Sequence, residues 1–390
     1  MRASSDARGL RFRKTLPIPP RLHACHRINA SFGDALWALV AVARRRAVAV
    51  PVGDALVCLS VRSAWDLLLS ALDLPPGEKV LVTAITHPDM ARIAELHGLV
   101  VVPVDVDPDT LAPVGLAATP PARILLVAHL FGARLDLGPA VAFTRRYGLL
   151  LVEDCAQAMQ SAHDRGDPRA DVSLFSFGFI KTATALGGAL AAVRDPGIAA
   201  RMAAIHDGWP LQRRREYGAK ALKCLVALAV SGPRAYAVVS RVTDVGGLVR
   251  TIRGGDAAAL TAWLRRRPCA GLLAMLRRRL NRFPAERVRR RAEAGEGLAA
   301  ALPPGLSHPG GAALDRTHWL FPVVTADPEK LIARLRAAGF DASRGSSQIA
   351  ALAPAPCAER LMAAMVFLPA HPELPPAERR RLIAELHAGV

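Results

Sequence analysis

Between residues 55 and 195 the chain alternates short, uninterrupted apolar runs with amphipathic segments, and this alternation limits the folds that it can adopt. Runs such as 100–104 and 124–128 have no polar face, as expected of strands that are buried on both sides of a sheet. The segments between the runs place apolar residues at helical spacing. Strands joined by helices predict an α/β fold, a mostly parallel sheet with helices on both faces. In such sheets ligands bind at the carboxyl ends of the strands.

The pattern divides the chain into four predicted parts. These are an N-terminal arm (1–50), a large domain (51–210), a basic amphipathic helical segment (211–291) and a small C-terminal α/β domain (292–390). In the large domain, strands are predicted at 55–59, 79–83, 100–104, 124–128, 149–152, 174–177 and 189–193, and helices at 63–72, at 88–97 and before Tyr147. In the small domain, strands are predicted at 320–324 and 365–368, and helices at 328–338 and 376–387.

The chain is strongly basic, with 51 Lys and Arg against 33 Asp and Glu, a formal net charge of +18. The arginines are scattered, without zinc-finger spacing or an aromatic RNA-binding motif, so nucleic acid is not the expected partner. An arginine-rich compositional bias accounts for much of the charge. An anionic substrate, such as a nucleotide-linked one, and an anionic membrane surface stay open as alternatives.

Cysteines and apolar runs bear on the compartment. None of the six cysteines forms a Cys-x-x-Cys pair, so neither disulfides nor a metal cluster is predicted and a reducing cytoplasm is expected. The basic N-terminus has no apolar segment directly behind it, so no signal peptide is predicted. The apolar runs 35–43 and 221–230 are shorter than the about 20 residues that span a bilayer. Buried helices are favoured, and helices lying on a membrane surface stay open.

The residues that can carry chemistry are an acid and a lysine. No Gly-x-Gly-x-x-Gly fingerprint, Walker loop or His-Glu-x-x-His motif occurs. Instead, a predicted strand ends at Asp154, and Lys181 follows another predicted strand that contains Ser176. Pyridoxal phosphate (PLP) needs such a pair, a lysine amine that holds its aldehyde and an acid that keeps its ring nitrogen protonated. A desolvated lysine near other cations should also have a lowered pKa, which frees the amine for attack.

Five ordered segments carry a family resemblance. They are 79–88 (KVLVTAITHP), 102–111 (VPVDVDPDTL), 128–132 (AHLFG), 153–157 (EDCAQ), and 175–177 (FSF) with Lys181. With these segments the chain resembles the DegT/DnrJ/EryC1/StrS family of PLP-dependent aminotransferases, many of which aminate keto sugars on nucleotides. The resemblance runs from about residue 55 to 195 and resumes near 318.

The resemblance implies a role for each matching residue. Lys181 would bind the cofactor covalently and later carry protons, and Asp154 would pair with the pyridine nitrogen. The other implied cofactor contacts are Gln157 near the ring hydroxyl, Ser176 at the phosphate, His87 stacked on the ring, and Arg62 and Ser63. The last two stand at the predicted start of a helix where the family usually has Gly-Thr, and helix N-termini bind phosphate.

The resemblance also implies a fold and an activity. The fold would be that of type I PLP enzymes, usually a homodimer, with the small C-terminal domain closing over the large one. The activity would be transfer of an amino group from a donor such as glutamate to a keto or aldehyde acceptor, with a nucleotide-linked sugar as one candidate.

Two alternatives stay open. One is a dehydratase of the same fold, although such enzymes typically carry histidine in place of Lys181. The other is a non-catalytic regulatory or membrane-associated protein, which only segment 211–291 supports. The expected location is the cytoplasm, with peripheral membrane contact as an alternative.

Overall fold

The computed structural model describes residues 18–44, 46, 48–242, 257–344 and 349–388. The strands are β1 (Leu56–Cys58), β2 (Lys79–Thr83), β3 (Ile85–Thr86), β4 (Val100–Val104), β5 (Ile124–Ala128), β6 (Ala133–Arg134), β7 (Leu150–Asp154), β8 (Val172–Ser176), β9 (Ala189–Val193), β10 (Asp315–Arg316), β11 (Phe321–Val324), β12 (Ala350–Ala351) and β13 (Met365–Leu368). The helices are α1 (Phe32–Val42), α2 (Val61–Leu72), α3 (Pro88–Leu96), α4 (Gly138–Tyr147), α5 (Pro196–Asp207), α6 (Arg214–Ala229), α7 (Pro233–Val242), α8 (Ala257–Leu264), α9 (Ala270–Asn281), α10 (Ala285–Ala299), α11 (Pro328–Ala337), α12 (Pro356–Ala364) and α13 (Pro376–His387).

The central sheet confirms the predicted α/β fold. Within the described residues it has seven strands in the order β1-β9-β8-β7-β5-β2-β4. The neighbours from β8 to β4 pair in parallel, and β9 alone runs antiparallel to both of its neighbours. The carboxyl ends of β7 and β8 therefore lie side by side at one edge of the sheet, where Asp154 and Ser176 are the last strand residues.

Both faces of this sheet are covered, as the continuous apolar runs predict. Val80 and Val82 of β2 join one apolar core together with residues of α2 and α3, and Leu81 between them joins the core on the other face. This alternation follows from the two-residue period of a strand. Because both faces of the strand are buried, an uninterrupted apolar run in the sequence predicts such a strand.

Helix α2 begins two residues earlier than predicted. Ser60 is its N-cap, and the Ser60 hydroxyl accepts a hydrogen bond from the backbone N–H of Ser63 at 3.1 Å. Serine satisfies the otherwise unpaired N–H groups of a first helical turn and so fixes where the helix starts. Ser63, which the sequence places at the start of the helix, therefore lies inside its first turn.

The C-terminal part is built on a small antiparallel pair of strands. β11 pairs with β13, and α11 and α13 pack beside them around a core that includes Phe321, Leu335, Phe340 and Leu382. Helix α10 is continuous from Ala285 to Ala299. The predicted boundary after residue 291 thus falls inside a helix, because the change in sequence pattern there marks a change of surroundings and not the end of an element.

The predicted basic segment 211–291 is helical in its described parts. Helix α6 buries Tyr217, Ala221 and Cys224 in a core that it shares with α1 and α9. Among the described residues no single helix is long and apolar enough to cross a membrane. The pair Arg214–Ala229 and Pro233–Arg241 meets the criterion of length and composition only jointly, and the two helices meet at a bend of 111°.

The outer faces of α1 and α6 are apolar and exposed. Phe32, Leu36 and Val40 of α1 recur four residues apart and are at least half exposed, as are Leu222 and Val226 of α6. Side chains four residues apart in a helix lie on the same face. We call these five residues the outer apolar face.

A buried ion pair joins α1 to α9. Asp34 accepts hydrogen bonds from Arg278 at 3.0 Å and from Arg279 at 2.8 Å, and it closes the capping box of α1 with Ser31. Burial by itself raises the pKa of Asp34. The hydrogen bond from the Ser31 backbone and the charge of Arg279 outweigh burial, so the pKa lies below its ordinary value. The carboxylate is therefore ionised in the folded protein.

We expect Asp34→Ala to lower the free energy of unfolding by about 3 kcal/mol, because it leaves the buried charge of Arg279 uncompensated. Urea denaturation at neutral pH measures the change, with Asp54→Ala, which alters an exposed acid, as the control. Since the pKa of Asp34 is lowered in the folded state, the wild-type advantage should disappear in acid as the pH falls through that pKa. Equal free energies of unfolding for the wild type and Asp34→Ala at neutral pH would contradict the structural role of this ion pair.

Candidate active site

Asp154 is the last residue of β7 and is buried. Its Oδ1 accepts a hydrogen bond from the backbone N–H of Ala156 at 2.8 Å, and its Oδ2 makes no hydrogen bond among the described residues. Burial raises the pKa of Asp154, and the hydrogen bond from Ala156 and the charge of Lys181 oppose this rise. The carboxyl group therefore has one oxygen open to a cationic partner in a poorly solvated place.

Lys181 lies in the loop that follows β8. Its backbone N–H donates to Gly178 O at 3.0 Å, and its Nζ lies 4.1 Å from the centre of the Trp319 ring. The pKa of the Lys181 amine is lowered to about 8, chiefly by burial. The nearby charge of Asp154 opposes this shift and that of Arg62 adds to it. A substantial part of the amine is thus uncharged near pH 8, as a nucleophile requires.

His87 faces the same place. Its Nδ1 accepts the N–H of Asp89 at 3.1 Å and caps helix α3, while its buried Nε2 has no hydrogen-bond partner within the described part of the chain. The pKa of His87 is lowered to about 3, chiefly by burial. The charges of Arg62 and Lys181 add to this shift, and that of Asp89 opposes it. The ring is therefore neutral and flat, and its Nε2 is free for a ligand.

Two other predicted residues lie at strand ends near this place. The Ser176 hydroxyl, at the end of β8, accepts the N–H of Gly178 at 3.3 Å. Gln157 follows Asp154 by three residues, and its side-chain oxygen accepts the N–H of Phe131 at 2.8 Å. Both side chains are only partly buried. Gln157 also ties the segment after β7 to the segment after β5.

Arg62 and Ser63 are already engaged within the protein. Arg62 makes an ion pair with Asp89 at 2.6 Å and lies over the ring of Trp263 at 4.7 Å. The Ser63 hydroxyl shares a hydrogen bond with that of Ser60 at 3.0 Å. Ser60, which the sequence reading does not single out, therefore caps the helix start. If Arg62 contacts an anion as predicted, its guanidinium must bind both that anion and Asp89.

A buried network supports the strand that carries Asp154. Glu153 receives hydrogen bonds from the Ser173 hydroxyl at 2.5 Å and from the N–H of Asp167 at 2.6 Å, and its other oxygen lies 2.9 Å from His129 Nε2. Together with Cys155, His129 and Glu153 form a compact group of metal-binding residue types. The Glu153 oxygens are engaged in hydrogen bonds, and burial raises the pKa of the Cys155 thiol. This group is therefore built to hold β7 in place.

The sequence reading misses Trp319, whose ring lies against the amine of Lys181. The backbone of Trp319 can pack against residue 132 only because this residue is glycine. A Cβ at Gly132 would lie 2.4 Å from the backbone nitrogen of Trp319. The Thr317 N–H donates to Gly132 O at 2.9 Å, and Trp319 Nε1 donates to Ile180 O at 3.1 Å. The glycine of the segment 128–132 is the only local signal for this contact.

The residues present fit PLP. The buried, unpartnered Nε2 of His87 and the open Oδ2 of Asp154 offer contacts to a flat heteroaromatic ring, and the amine of Lys181 can hold an aldehyde. Ser176 and Ser63 bring hydroxyl groups to the same edge of the sheet. The fit rests on Lys181, Asp154 and His87, since the charge of Lys181 lowers the pKa of both other residues.

Comparisons with known proteins agree with this geometry. Residues 45–222 match the model of the DegT/DnrJ/EryC1/StrS aminotransferase family. GDP-perosamine synthase of Caulobacter vibrioides is 30% identical over 157 residues, which make up 39% of this chain and 42% of that protein. The chain thus aligns with less than half the length of this curated relative.

Solved structures match over nearly the whole chain. DesV of S. venezuelae, in complex with a ketimine intermediate, has a TM-score of 0.62 and 22% identity, over 99% of this chain and 94% of that one. The E. coli GDP-4-keto-6-deoxy-D-mannose-3-dehydratase with bound hydrated PLP has a TM-score of 0.67 and 14% identity, over 95% and 99%. At these identities the likeness establishes the fold, that of type I PLP aminotransferase structures. The chain is thus similar to the DegT/DnrJ/EryC1/StrS aminotransferase family over residues 45–222, which are less than half of its length.

Proposed function

We propose that the protein is a PLP-dependent aminotransferase that moves an amino group from a donor such as glutamate to a keto or aldehyde acceptor. The observation that carries the proposal is the Lys181 amine, whose pKa is lowered to about 8, beside the buried carboxyl of Asp154. When bound, PLP supplies an electron-accepting ring that stabilises negative charge at the carbon next to the amino group.

The residues of the chain divide the work between them. Lys181 can bind the cofactor aldehyde as an uncharged amine. Once a donor has displaced it, Lys181 can take a proton from one carbon and return it to another, because an amine with a pKa near the working pH does both. Asp154, in its poorly solvated place, holds a proton on the ring nitrogen. His87 would lie flat against the ring and, being neutral, would contribute no charge.

The acceptor class follows from the family rather than from the geometry. The curated relative is named a GDP-perosamine synthase, which supports a nucleotide-linked sugar as the acceptor here. Lys181 itself disfavours the dehydratase alternative, in which histidine typically takes its place. The homodimer and the cytoplasmic location are also part of the proposal, and size-exclusion chromatography with light scattering tests the dimer.

We expect borohydride reduction of the PLP-loaded protein to attach the cofactor to Lys181, because this lysine combines an open amine with the acid of Asp154. Peptide mapping by mass spectrometry locates the label, and release of 2-oxoglutarate from glutamate in a screen of keto acceptors measures transfer. Lys223→Arg, which alters a lysine of helix α6, is the control and should keep the label. A label on another lysine, or no label, would overturn the assignment.

Replacement of Asp154 by asparagine should slow amino transfer at least a thousandfold, equivalent to about 4 kcal/mol, because the ring nitrogen then loses its proton. The same change should lower the pKa of Lys181 below about 8, since the charge of Asp154 raises it. Competitive acetylation of the cofactor-free protein over a pH series measures this pKa. Asp136→Asn, an exposed acid, is the control. A drop in transfer of less than tenfold would show that another acid serves the ring.

We also propose that the outer apolar face contacts an anionic membrane surface. The five residues of this face offer exposed apolar area. Residues 213–215 are exposed arginines, and Arg214 reaches the carbonyl oxygens of Val42 and Ala43 at the end of α1, at 3.5 and 3.4 Å. Apolar burial and attraction to anionic lipid act together on such a face. A second copy of this chain is a poorer occupant, because it would bring the same positive charges together.

The membrane proposal predicts salt-sensitive pelleting with phosphatidylglycerol-containing vesicles and none with phosphatidylcholine alone, since each arginine near the surface adds about 1 kcal/mol. The double variant Leu36→Glu/Leu222→Glu should abolish pelleting, and Val114→Glu, at an exposed apolar position elsewhere, should not. Pelleting that is unchanged in the double variant, or equal with both lipids, would contradict the proposal.

A further inference from the structure

The amine of Lys181 lies against the face of an aromatic ring. Its Nζ is 4.1 Å from the centre of the Trp319 ring, the shortest distance between a cationic group and a ring among the described residues; the next is 4.7 Å, between Arg62 and Trp263. Nζ makes no hydrogen bond and no ion pair with any described residue. An ammonium is attracted to the negative face of an aromatic ring, most strongly to that of tryptophan. Trp319 therefore offers this ammonium an attraction that no hydrogen bond supplies.

The indole of Trp319 is also bound to the loop that carries the lysine. Its Nε1 donates a hydrogen bond to the carbonyl oxygen of Ile180, the residue before Lys181, at 3.1 Å. Such a bond is usual for a tryptophan N–H that is withdrawn from water. The same side chain thus contacts the loop backbone through its N–H and the amine through its face.

Two glycines let the backbone that leads to the indole pack tightly. A Cβ at Gly132 would lie 2.6 Å from Thr317 Oγ1, and a Cβ at Gly295 of α10 would lie 2.2 Å from the ring of His318. Nonbonded atoms cannot approach so closely, so a larger residue at either position would displace this backbone. The buried Arg291 holds it as well, because its Nε donates to Thr317 O at 2.8 Å. The backbone is therefore fixed from more than one side.

His318, which precedes the tryptophan, has a strained backbone. Its φ of 45° lies in the left-handed region, which residues other than glycine rarely adopt. Its Nε2 lies 2.8 Å from Glu296 Oε1, and Arg316 donates to both oxygens of the same carboxylate at 2.8 Å. Such a conformation persists only where the surroundings enforce it, and it is concentrated at functional sites. The strain next to Trp319 points to a task for this side chain beyond packing.

A ring face and a carboxylate act differently on an amine that has to carry protons. A carboxylate stabilises the ammonium, but it can also accept the proton or bind the amine through a hydrogen bond. An aromatic face stabilises the ammonium through its quadrupole and does not compete for the proton. An amine beside such a face remains the proton acceptor and can turn between two carbon atoms.

We propose that Trp319 is a positioning residue, which holds the protonated amine of Lys181 by a cation–π contact while that amine carries protons. The proposal rests on the proposed function, in which Lys181 is the proton carrier. There Asp154 is committed to the ring nitrogen of the cofactor, so a second group must stabilise the ammonium. Loss of the contact should lower the pKa of Lys181 by about 1, because the ring favours the charged form in a poorly solvated place.

The test places mono-, di- and trifluorotryptophan at position 319 by nonsense suppression. Fluorine withdraws electron density from the ring face, whereas the shape of the indole and its N–H to Ile180 remain. Competitive acetylation of the cofactor-free full chain over a pH series, followed by peptide mapping, should show that the pKa of Lys181 falls with each added fluorine. The same series at Trp37 of α1, whose ring lies 5.4 Å from the guanidinium of Arg278, is the control and should leave this pKa unchanged.

Two ordinary variants separate the ring face from the hydrogen bond. Trp319→Phe keeps a ring face and loses the bond to Ile180, whereas Trp319→Leu loses both. The cation–π contact predicts a larger fall in the pKa of Lys181 for Trp319→Leu than for Trp319→Phe. Equal pKa values in these two variants, or a pKa that does not respond to fluorine, would overturn the proposal.

The outcomes separate this proposal from the proposed function. If glutamate drives amino transfer but fluorination leaves the pKa of Lys181 unchanged, the role of Trp319 is wrong and the aminotransferase stands. If the pKa falls with fluorination but no acceptor is aminated, the contact stands and the activity fails. Should Trp319→Leu fail to fold, the fluorinated series still decides, because it preserves the shape of the side chain.

Discussion

The site depends on the attraction between Lys181 and Asp154 in a place from which water is largely excluded. Burial alone penalises both charges, lowering the pKa of the amine and raising that of the carboxyl. Each charge partly offsets the penalty of the other, and the resulting pKa of the lysine is about 8. When a cofactor ring is bound, each of these two groups can interact with the ring in place of the other at a small cost in free energy. The same balance would be lost if either residue were solvated.

The rest of the fold holds Asp154 and Lys181 in position relative to each other. Asp154 is fixed because β7 lies between β5 and β8, and because Glu153, which precedes it, is held by Ser173 and His129. The loop with Lys181 is held from the other side by Trp319, whose backbone approaches through the space that Gly132 leaves. Parallel strands with free carboxyl ends create the site, and contacts from the C-terminal part close it.

Local sequence patterns predict the sheet and the two residues Asp154 and Lys181, but they do not predict the contacts between distant segments. Strand β5 is predictable because an uninterrupted apolar run suits burial on both faces, and Asp154 because it ends the next such run. Trp319 is not, since its contact with Lys181 joins residues far apart in the chain and depends on a close approach at Gly132. The ion pair of Arg62 is not predictable for the same reason: a helix start indicates an anion site, but only the packing of α3 brings Asp89 to 2.6 Å. Whether Arg62 also reaches an anion stays a prediction.

The arginines that give the chain its high positive charge lie in several kinds of environment, which composition alone cannot distinguish. Some arginines, such as Arg279 and Arg336, lie buried against aspartates and join elements of the fold. Others, such as Arg289, are paired with glutamates on an exposed helix face, where ion pairs contribute little to stability. Arg291 belongs to neither group, because it is buried like the first and has no carboxylate partner among the described residues. Burial without such a partner is costly, because removal of an ion from water is penalised unless an opposite charge compensates it.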